Sequence, residues 1–362
     1  MTNVLFYGPL GKENAKVVGG GESGNLKTIS VLEKAGFNII RLRKPYPSKS
    51  LLGKIKHLLH LGFMPLFLFI ELLKNRNIQI VHISGFYKQL ILKELLCIYI
   101  VNFFGKKCIY ELRAGGVKKA YKTGSRLYKF LFRKAIAASG IIMVQGERYV
   151  ELLNELGAKK IVHYPNYIMG SVIPRKINIL ENNGEIELVY FGRMSPTKNV
   201  LFIIDICTEL KNKNIPFKLE LIGEGNTDYV EKIKEKIQTE KLSKFIKLSP
   251  PAFGTSLVEK LNDKHFFLFP TQEPREGHSN SLTEAMALGI VPICSDYGFN
   301  REIVNSNRLI NVEFDEKIYS DLIISIWQQN LWSIFSKEMQ DIVATKFTSS
   351  IVQSKLLSVY EK

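Results

Sequence analysis

Apolar positions along the chain fall into two rhythms. Short, near-continuous apolar runs alternate with longer stretches in which apolar residues recur every three or four positions. The short runs Val4–Tyr7, Phe37–Leu42, Ile78–Ser84, Lys107–Leu112, Ile141–Gln145 and Ile161–Tyr164 read as strands. Ile186–Phe191, Phe217–Ile222, Phe266–Phe269 and Ile290–Cys294 continue the series. Such unbroken runs suit strands covered on both faces, as in parallel sheets. Between them, helical spacing appears in Leu26–Ala35, Lys54–Leu73, Leu90–Phe104, Glu147–Leu156, Val200–Leu210 and Asp228–Glu240. It returns in Ile318–Trp327 and Ile351–Tyr360. Strand and helix alternate throughout, so the pattern predicts an α/β protein with parallel sheets.

Length and composition refine this picture. The 362 residues are enough for two domains, each with its own core, and 46% hydrophobic and 23% charged residues are ordinary for a globular chain. Cys97, Cys108, Cys207 and Cys294 lie scattered in apolar segments without a C-x-x-C pair, which fits buried thiols in a reducing compartment. The chain enters its first strand at Val4 with no basic stretch and apolar core of a signal peptide before it. A polar, irregular stretch from Pro165-Asn166 to Asn183-Gly184 is the best linker.

Charge is distributed unevenly. Residues 1–170 hold 27 Lys and Arg against 9 Glu and no Asp, a balance of +18, so the overall +16 leaves −2 for the remainder. That asymmetry points to a polyanionic partner for the first half, with nucleic acid and anionic lipid both possible on charge alone. His57–Ile70 is an uncharged apolar run of 14 residues behind Lys54 and Lys56. That is shorter than the roughly 20 residues of a bilayer span. It reads as a buried helix or as one lying in a membrane interface.

The stretch that carries most chemistry is Glu276-Gly277-His278-Ser279-Asn280-Ser281-Leu282-Thr283-Glu284-Ala285-Met286-Ala287, followed by Gly289 and Pro292. It follows the strand Phe266–Phe269. Ser279 or Asn280 can cap a helix that Gly289 ends. The loop and the helix N-terminus face the ligand side of such a unit, where free amides favour phosphate. A second loop, Gly192-Arg193 to Lys198-Asn199, places two cations after the strand Ile186–Phe191. Arg forks and Lys point charges both suit a diphosphate. Near the N-terminus, Gly19-Gly20-Gly21-Glu22-Ser23-Gly24 reads as a glycine-rich loop feeding a helix, open to a phosphate or to solvent.

Together these residues resemble glycosyltransferase family 4, retaining enzymes of the GT-B fold, in the form found in bacterial surface-polysaccharide synthesis. The run from Glu276 matches the family's E-x7-E signature with its Glu-Ala-Met-Ala, Gly and Pro, and Gly192-Arg193 with Lys198 matches its G-R-x-x-x-x-K pattern. The resemblance spans nearly the whole chain and is stronger after Gly192. It implies two Rossmann-like domains facing each other across a cleft. Residues 1–170 would bind acceptor, 171–345 would bind donor, and a C-terminal helix, 346–362, would pack back on the first domain. It implies catalysis by Glu276, Arg193 and Lys198, with the two cations on the donor diphosphate. Glu284 would bond the ribose hydroxyls, and Gly192, Ser279, Asn280 and Ser281, with Gly19 and Gly20 opposite, would cradle phosphate. Where relatives carry a histidine near the donor sugar, this chain has Tyr110, Glu111 and Arg113. Glu111 and Arg113 are acceptor-side candidates or partners in a structural ion pair.

The donor implied is a UDP- or GDP-sugar, with no cofactor and no metal, since the chain contains no D-x-D sequence. The acceptor is lipid-linked or a glycan. The +18 half and the cations Lys118, Lys119, Lys122, Arg126, Lys129, Arg133 and Lys134 place the enzyme on an anionic membrane surface, peripheral on the inner face of the plasma membrane. Another GT-B enzyme, such as a sugar-nucleotide epimerase or a phosphorylase, is the nearest alternative. A nucleic-acid-binding protein fits less well, because the aromatics of the basic half sit inside apolar runs.

Overall fold

In a computed structural model, residues 1–11, 20–44, 50–85, 90–113, 115–169, 184–274, 276–311 and 313–361 are described. The chain forms two compact units, Met1–Pro165 with Gln353–Lys362, and Asn166–Val352. The linker stretch 170–183 lies outside the described residues.

The first unit alternates strand and helix: β1 (Asn3–Gly8), α1 (Gly20–Lys34), β2 (Asn38–Arg43), α2 (Leu51–Lys74), β3 (Ile78–Gly85) and α3 (Ile91–Phe103). It continues with β4 (Lys107–Leu112), α4 (Val117–Thr123), α5 (Arg126–Ala138), β5 (Ile141–Val144), α6 (Val150–Glu155) and β6 (Ile161–His163). All strands pair in parallel in the order β2-β1-β3-β4-β5-β6.

In the second unit come β7 (Ile186–Phe191), α7 (Val200–Asn212), β8 (Phe217–Ile222), α8 (Thr227–Thr239), β9 (Ile246–Ser249), α9 (Thr255–Leu261), β10 (Phe266–Phe269) and α10 (Asn280–Ala287). Then follow β11 (Val291–Ser295), α11 (Asn300–Val304), β12 (Ile310–Asn311), α12 (Glu316–Gln328) and α13 (Trp332–Lys346). A last helix, α14 (Ser349–Tyr360), carries the chain back into the first unit. The second sheet is also parallel, in the order β12-β11-β10-β7-β8-β9.

The apolar runs become the central strands for the reason read from sequence. Val4–Tyr7 of β1 and all four residues of β10 are essentially inaccessible, so both faces of each sheet are covered. Helices α9, α11 and α13 and strands β9 and β12 are short or polar enough to escape the periodicity. Helices α4 and α5 were visible only as cations at helical spacing.

One expectation needs correcting. From Gly20 on, the glycine-rich stretch is not a loop but the opening of α1. Gly24 sits in that helix because a Cβ there would come within 1.9 Å of Arg113 Nη1, so the glycine lets the arginine lie against the helix backbone.

Strand order fixes where a ligand can enter. In the second sheet the order reverses between β10 and β7, and the loops leaving the C-terminal ends of those two strands open on the same crevice. These are the loops that carry Arg193 and Glu276.

Candidate functional site

The loop after β7 is shaped by its own backbone. Gly192 takes φ +144 and packs under Gly223, where a Cβ would meet the Gly192 carbonyl at 1.9 Å. Tyr190 Oη donates to the Arg193 carbonyl at 2.8 Å, and the Met194 amide donates to the Glu224 carbonyl at 2.8 Å. A single 3₁₀ turn, Pro196–Lys198, ends at Asn199 in the left-handed region, and α7 begins. The turn aims Lys198 back over β10, with Nζ 4.9 Å from the Phe269 ring centre.

The loop after β10 meets it. Lys198 Nζ donates to Glu276 Oε2. The Thr271 hydroxyl lies 3.2 Å from the same oxygen and 3.3 Å from the Thr197 carbonyl, so it can donate to either. The Gln272 amide donates to the Thr197 carbonyl at 2.7 Å, and Thr197 Oγ1 donates to Glu273 Oε2 at 2.9 Å. The two loops are thus sewn together by bonds spanning about eighty residues of sequence. The Lys198 and Glu276 side chains keep 13% and 10% of their surface, so the pair is sheltered but reachable. Arg193 is exposed and has no ion-pair partner among the described residues.

Helix α10 supplies the rest. Ser279 is its N-cap, its Oγ accepting from the Leu282 amide at 3.3 Å and lying 3.1 Å from Ser281 Oγ. Asn280 and Ser281 open the first turn, whose amides have no acceptor inside the helix and attract anions. Glu284, one turn on, is half-buried. A chemistry follows from this set: two cations and a helix end for a diphosphate, and carboxylates at two depths for hydroxyl groups.

Two contributors escaped the sequence reading. Thr271 holds Glu276 from within the core. Gly298, at φ +57, lies so close that a Cβ would stand 2.3 Å from the Glu276 carbonyl. Position directly after a strand-ending Pro270, and a glycine in Asp296-Tyr297-Gly298, were the available signals, and neither is specific.

The remaining candidates lie in the first unit. Gly19 is outside the described residues, and Gly20 starts α1. Glu111 and Arg113 form the ion pair that sequence left open, Oε1 to Nη2 at 2.9 Å. Glu111, 1% exposed, is also reached by His82 Nε2 at 3.0 Å, while His82 Nδ1 and Tyr360 Oη of α14 are 2.5 Å apart. Arg113 Nη2 donates to Thr28 Oγ1 at 3.0 Å. Burial pushes the Glu111 carboxyl up, but the charge of Arg113 and the bond from His82 outweigh it and leave Glu111 below its ordinary value. Burial holds His82 below its ordinary value, hence neutral. A neutral ring with its proton on Nε2 donates to Glu111 and accepts from the Tyr360 hydroxyl, which uses both ring nitrogens.

Known proteins resemble this chain in sequence and in fold. Residues 173–341 match the family described as "Glycosyl transferases group 1". The capsular polysaccharide biosynthesis glycosyltransferase CapH of Staphylococcus aureus is 26% identical over 280 residues, covering 75% of this chain and 73% of that one. The protein is a glycosyltransferase of the GT-B fold. Sucrose-phosphate synthase from Thermosynechococcus elongatus superposes on the transferase with a TM-score of 0.75 at 14% identity, over 99% of this chain and 98% of the other. HepE of Anabaena, solved with UDP, does so with a TM-score of 0.73 at 12% identity, over 99% of both chains. The transferase's two parallel sheets are the two Rossmann-like layers that the GT-B fold requires.

Proposed function

We propose that the transferase moves a sugar from a UDP- or GDP-sugar to a lipid-linked or glycan acceptor during surface-polysaccharide synthesis, with retention of anomeric configuration. The observation that carries this is the Lys198–Glu276 pair at the β7/β10 switch point, with Arg193 on the same loop as Lys198. In the resting site Glu276 occupies Lys198. A diphosphate entering between Arg193 and the α10 N-terminus competes for that ammonium and frees Glu276 to turn toward the sugar. Glu284, deeper along α10, takes the ribose hydroxyls. As the glycosidic bond lengthens, Lys198 and Arg193 neutralise the departing diphosphate, and Glu276 stabilises positive charge at the anomeric carbon. The leaving phosphate takes the acceptor proton on the same face, which gives retention.

Support for a nucleotide-sugar donor comes from HepE, solved with UDP and with UDP-glucose. Support for the polysaccharide role comes from CapH. Metal independence is part of the proposal, because Lys198, Arg193 and a helix end already supply the positive field a metal provides. The charge of +18 on residues 1–170 supports work at the anionic inner face of the plasma membrane.

Donor turnover with a glycan acceptor, followed by NMR of the anomeric proton, tests the reading. The expected product keeps the donor's configuration, and its yield persists in EDTA. An inverted product, or full loss in EDTA with rescue by Mg or Mn, would falsify retention or metal independence respectively.

A further inference from the structure

Large exposed apolar side chains are concentrated in one place. In the second unit they are few and scattered: Met169, Phe253, Ile318 and Ile334 among the described residues. In the first unit they line three helices that pack side by side, α2 against α3 and α3 against α5.

Helix α2 has two apolar faces. Met64, Leu68 and Leu72, four apart, are fully buried and hold its C-terminal half to the domain. No described side chain from Leu52 to Phe63 is buried. Leu52, Ile55, Leu59, Phe63, Leu66 and Ile70 are all exposed, at steps of three and four, so a second apolar stripe runs outward along the helix. On α3 the outward stripe is Leu92, Leu96, Tyr99 and Phe103, the last 80% exposed. On α5 it is Leu127 and Phe130, with Lys134 Nζ 5.6 Å from the Phe130 ring centre. Contiguous exposed apolar area of this kind marks a contact surface, not ordinary solvent-facing residues.

Charge says what the surface meets. Val117–Ala138, covering α4 and α5, holds seven cations and no acid. A second copy would set one +18 domain against another, so like charges oppose that pairing. An anionic bilayer accepts the apolar stripe at its surface and the cations at its headgroups. By length and composition α2 could cross a membrane, with mean hydropathy 1.5. Its buried Met64, Leu68 and Leu72 bind it to the domain, where it packs on α3, which leaves the in-plane arrangement.

We propose that α2, α3 and α5 form a monotopic docking face that enters one leaflet of an anionic bilayer. The outward stripes reach about 5–10 Å, to the boundary of headgroups and acyl chains. The proposal rests on the membrane reading given above and says more than it, since cations alone would give a purely electrostatic, fully salt-reversible attachment.

The test uses the full chain with phosphatidylglycerol and phosphatidylcholine vesicles. Both tryptophans, Trp327 and Trp332, belong to the second unit, so F103W adds a reporter to the face. Its emission is expected to shift blue and be quenched by brominated lipid. Binding to phosphatidylglycerol vesicles should persist in part at 1 M salt, where screening shortens to about 3 Å. The exposed-site triple variant F103S/L127S/F130S should keep the wild-type melting point and its turnover on a water-soluble glycan acceptor. It should lose the salt-resistant binding, with partitioning down about tenfold or more. Wild-type binding by that variant, or complete release of the parent at 1 M salt, overturns the docking face. So does a lipid-free dimer that the same three changes dissolve. Absence of binding to either lipid at low salt overturns the membrane reading itself.

Discussion

Each unit of the transferase sets a carboxylate beside a cation at the C-terminal end of a parallel sheet, and the two pairs are built in opposite ways. Glu111 is part of β4. Its neighbours are fixed by the fold: His82 from β3, Arg113 just beyond β4, and Tyr360 from α14, which reaches Glu111 through His82. Glu276 stands in a loop, held by Lys198 from another loop and by one threonine, and Arg193, close in sequence to Lys198, has no ion-pair partner among the described residues. The first arrangement is set in the core, with Glu111 1% exposed and tied to both Arg113 and His82. The second keeps a cation in reserve and one bond that a ligand can replace. A strand position gives permanence, and a loop position at a switch point gives exchange.

This contrast can be broken by substitution. Glu111→Gln leaves the partly buried Arg113 without its counter-charge, and breaking a buried pair costs up to about 3–5 kcal/mol. Thermal melts should show that loss, with donor affinity little changed in the fraction still folded. Lys198→Ala and Arg193→Ala should do the reverse. Removal of one preorganised charge contact costs on the order of 2.7–4 kcal/mol in the transition state, read as kcat, against a much smaller change in melting temperature. Wild-type turnover in both variants would remove them from the site.

Gly298→Ala sharpens the comparison in a region where stability and activity meet. A left-handed residue with a Cβ is strained by about 1–3 kcal/mol, and the methyl group must also displace the Glu276 backbone. Both the melting temperature and kcat should fall, whereas changes at Glu111 or Lys198 affect mainly one of them.

The smallest effect is the pH dependence of the first pair. His82 is held below its ordinary 6.5, so the unfolded chain takes up the proton first as pH drops. Stability is therefore complete above 6.5 and declines below it, by at most about 1.4 kcal/mol per pH unit for this one proton. Glu111, also below its ordinary value, adds a loss in the same direction as pH falls below 4.5. The H82Q variant should flatten the slope between pH 6.5 and 5 in melts by circular dichroism. An unchanged slope would show that His82 is not the group responsible.

Much of this was legible in the sequence, and the limits have physical causes. Central strands such as Phe266–Phe269 declare themselves because burial on both faces demands unbroken apolar runs. Arg193, Lys198 and Glu276 were visible because each sits beside a strand end whose position was already known. The bond between Lys198 and Glu276 was not read from the sequence, since it spans 78 positions and depends on strand order. His82 was hidden inside an apolar strand, and its partner Tyr360 is 278 positions away. The apolar stripe of α2 was seen as composition alone, because hydropathy cannot tell an inward face from an outward one. The first turns of α1 were misjudged because glycine's usual meaning, a loop, gave way to its packing role against Arg113.

The return of α14 to the first unit bears on how the chain is made. Residues 1–165 leave the ribosome first, yet Tyr360, which closes over His82, follows after the whole of Asn166–Val352. At about 5–20 residues per second that interval is some tens of seconds. Throughout it His82 lacks the hydroxyl it accepts from, and the apolar inner side of α14, with Leu356 and Val359, has not yet covered its site. The unit synthesised first is thus completed last, and the nascent transferase carries an unfinished first unit while its second unit folds.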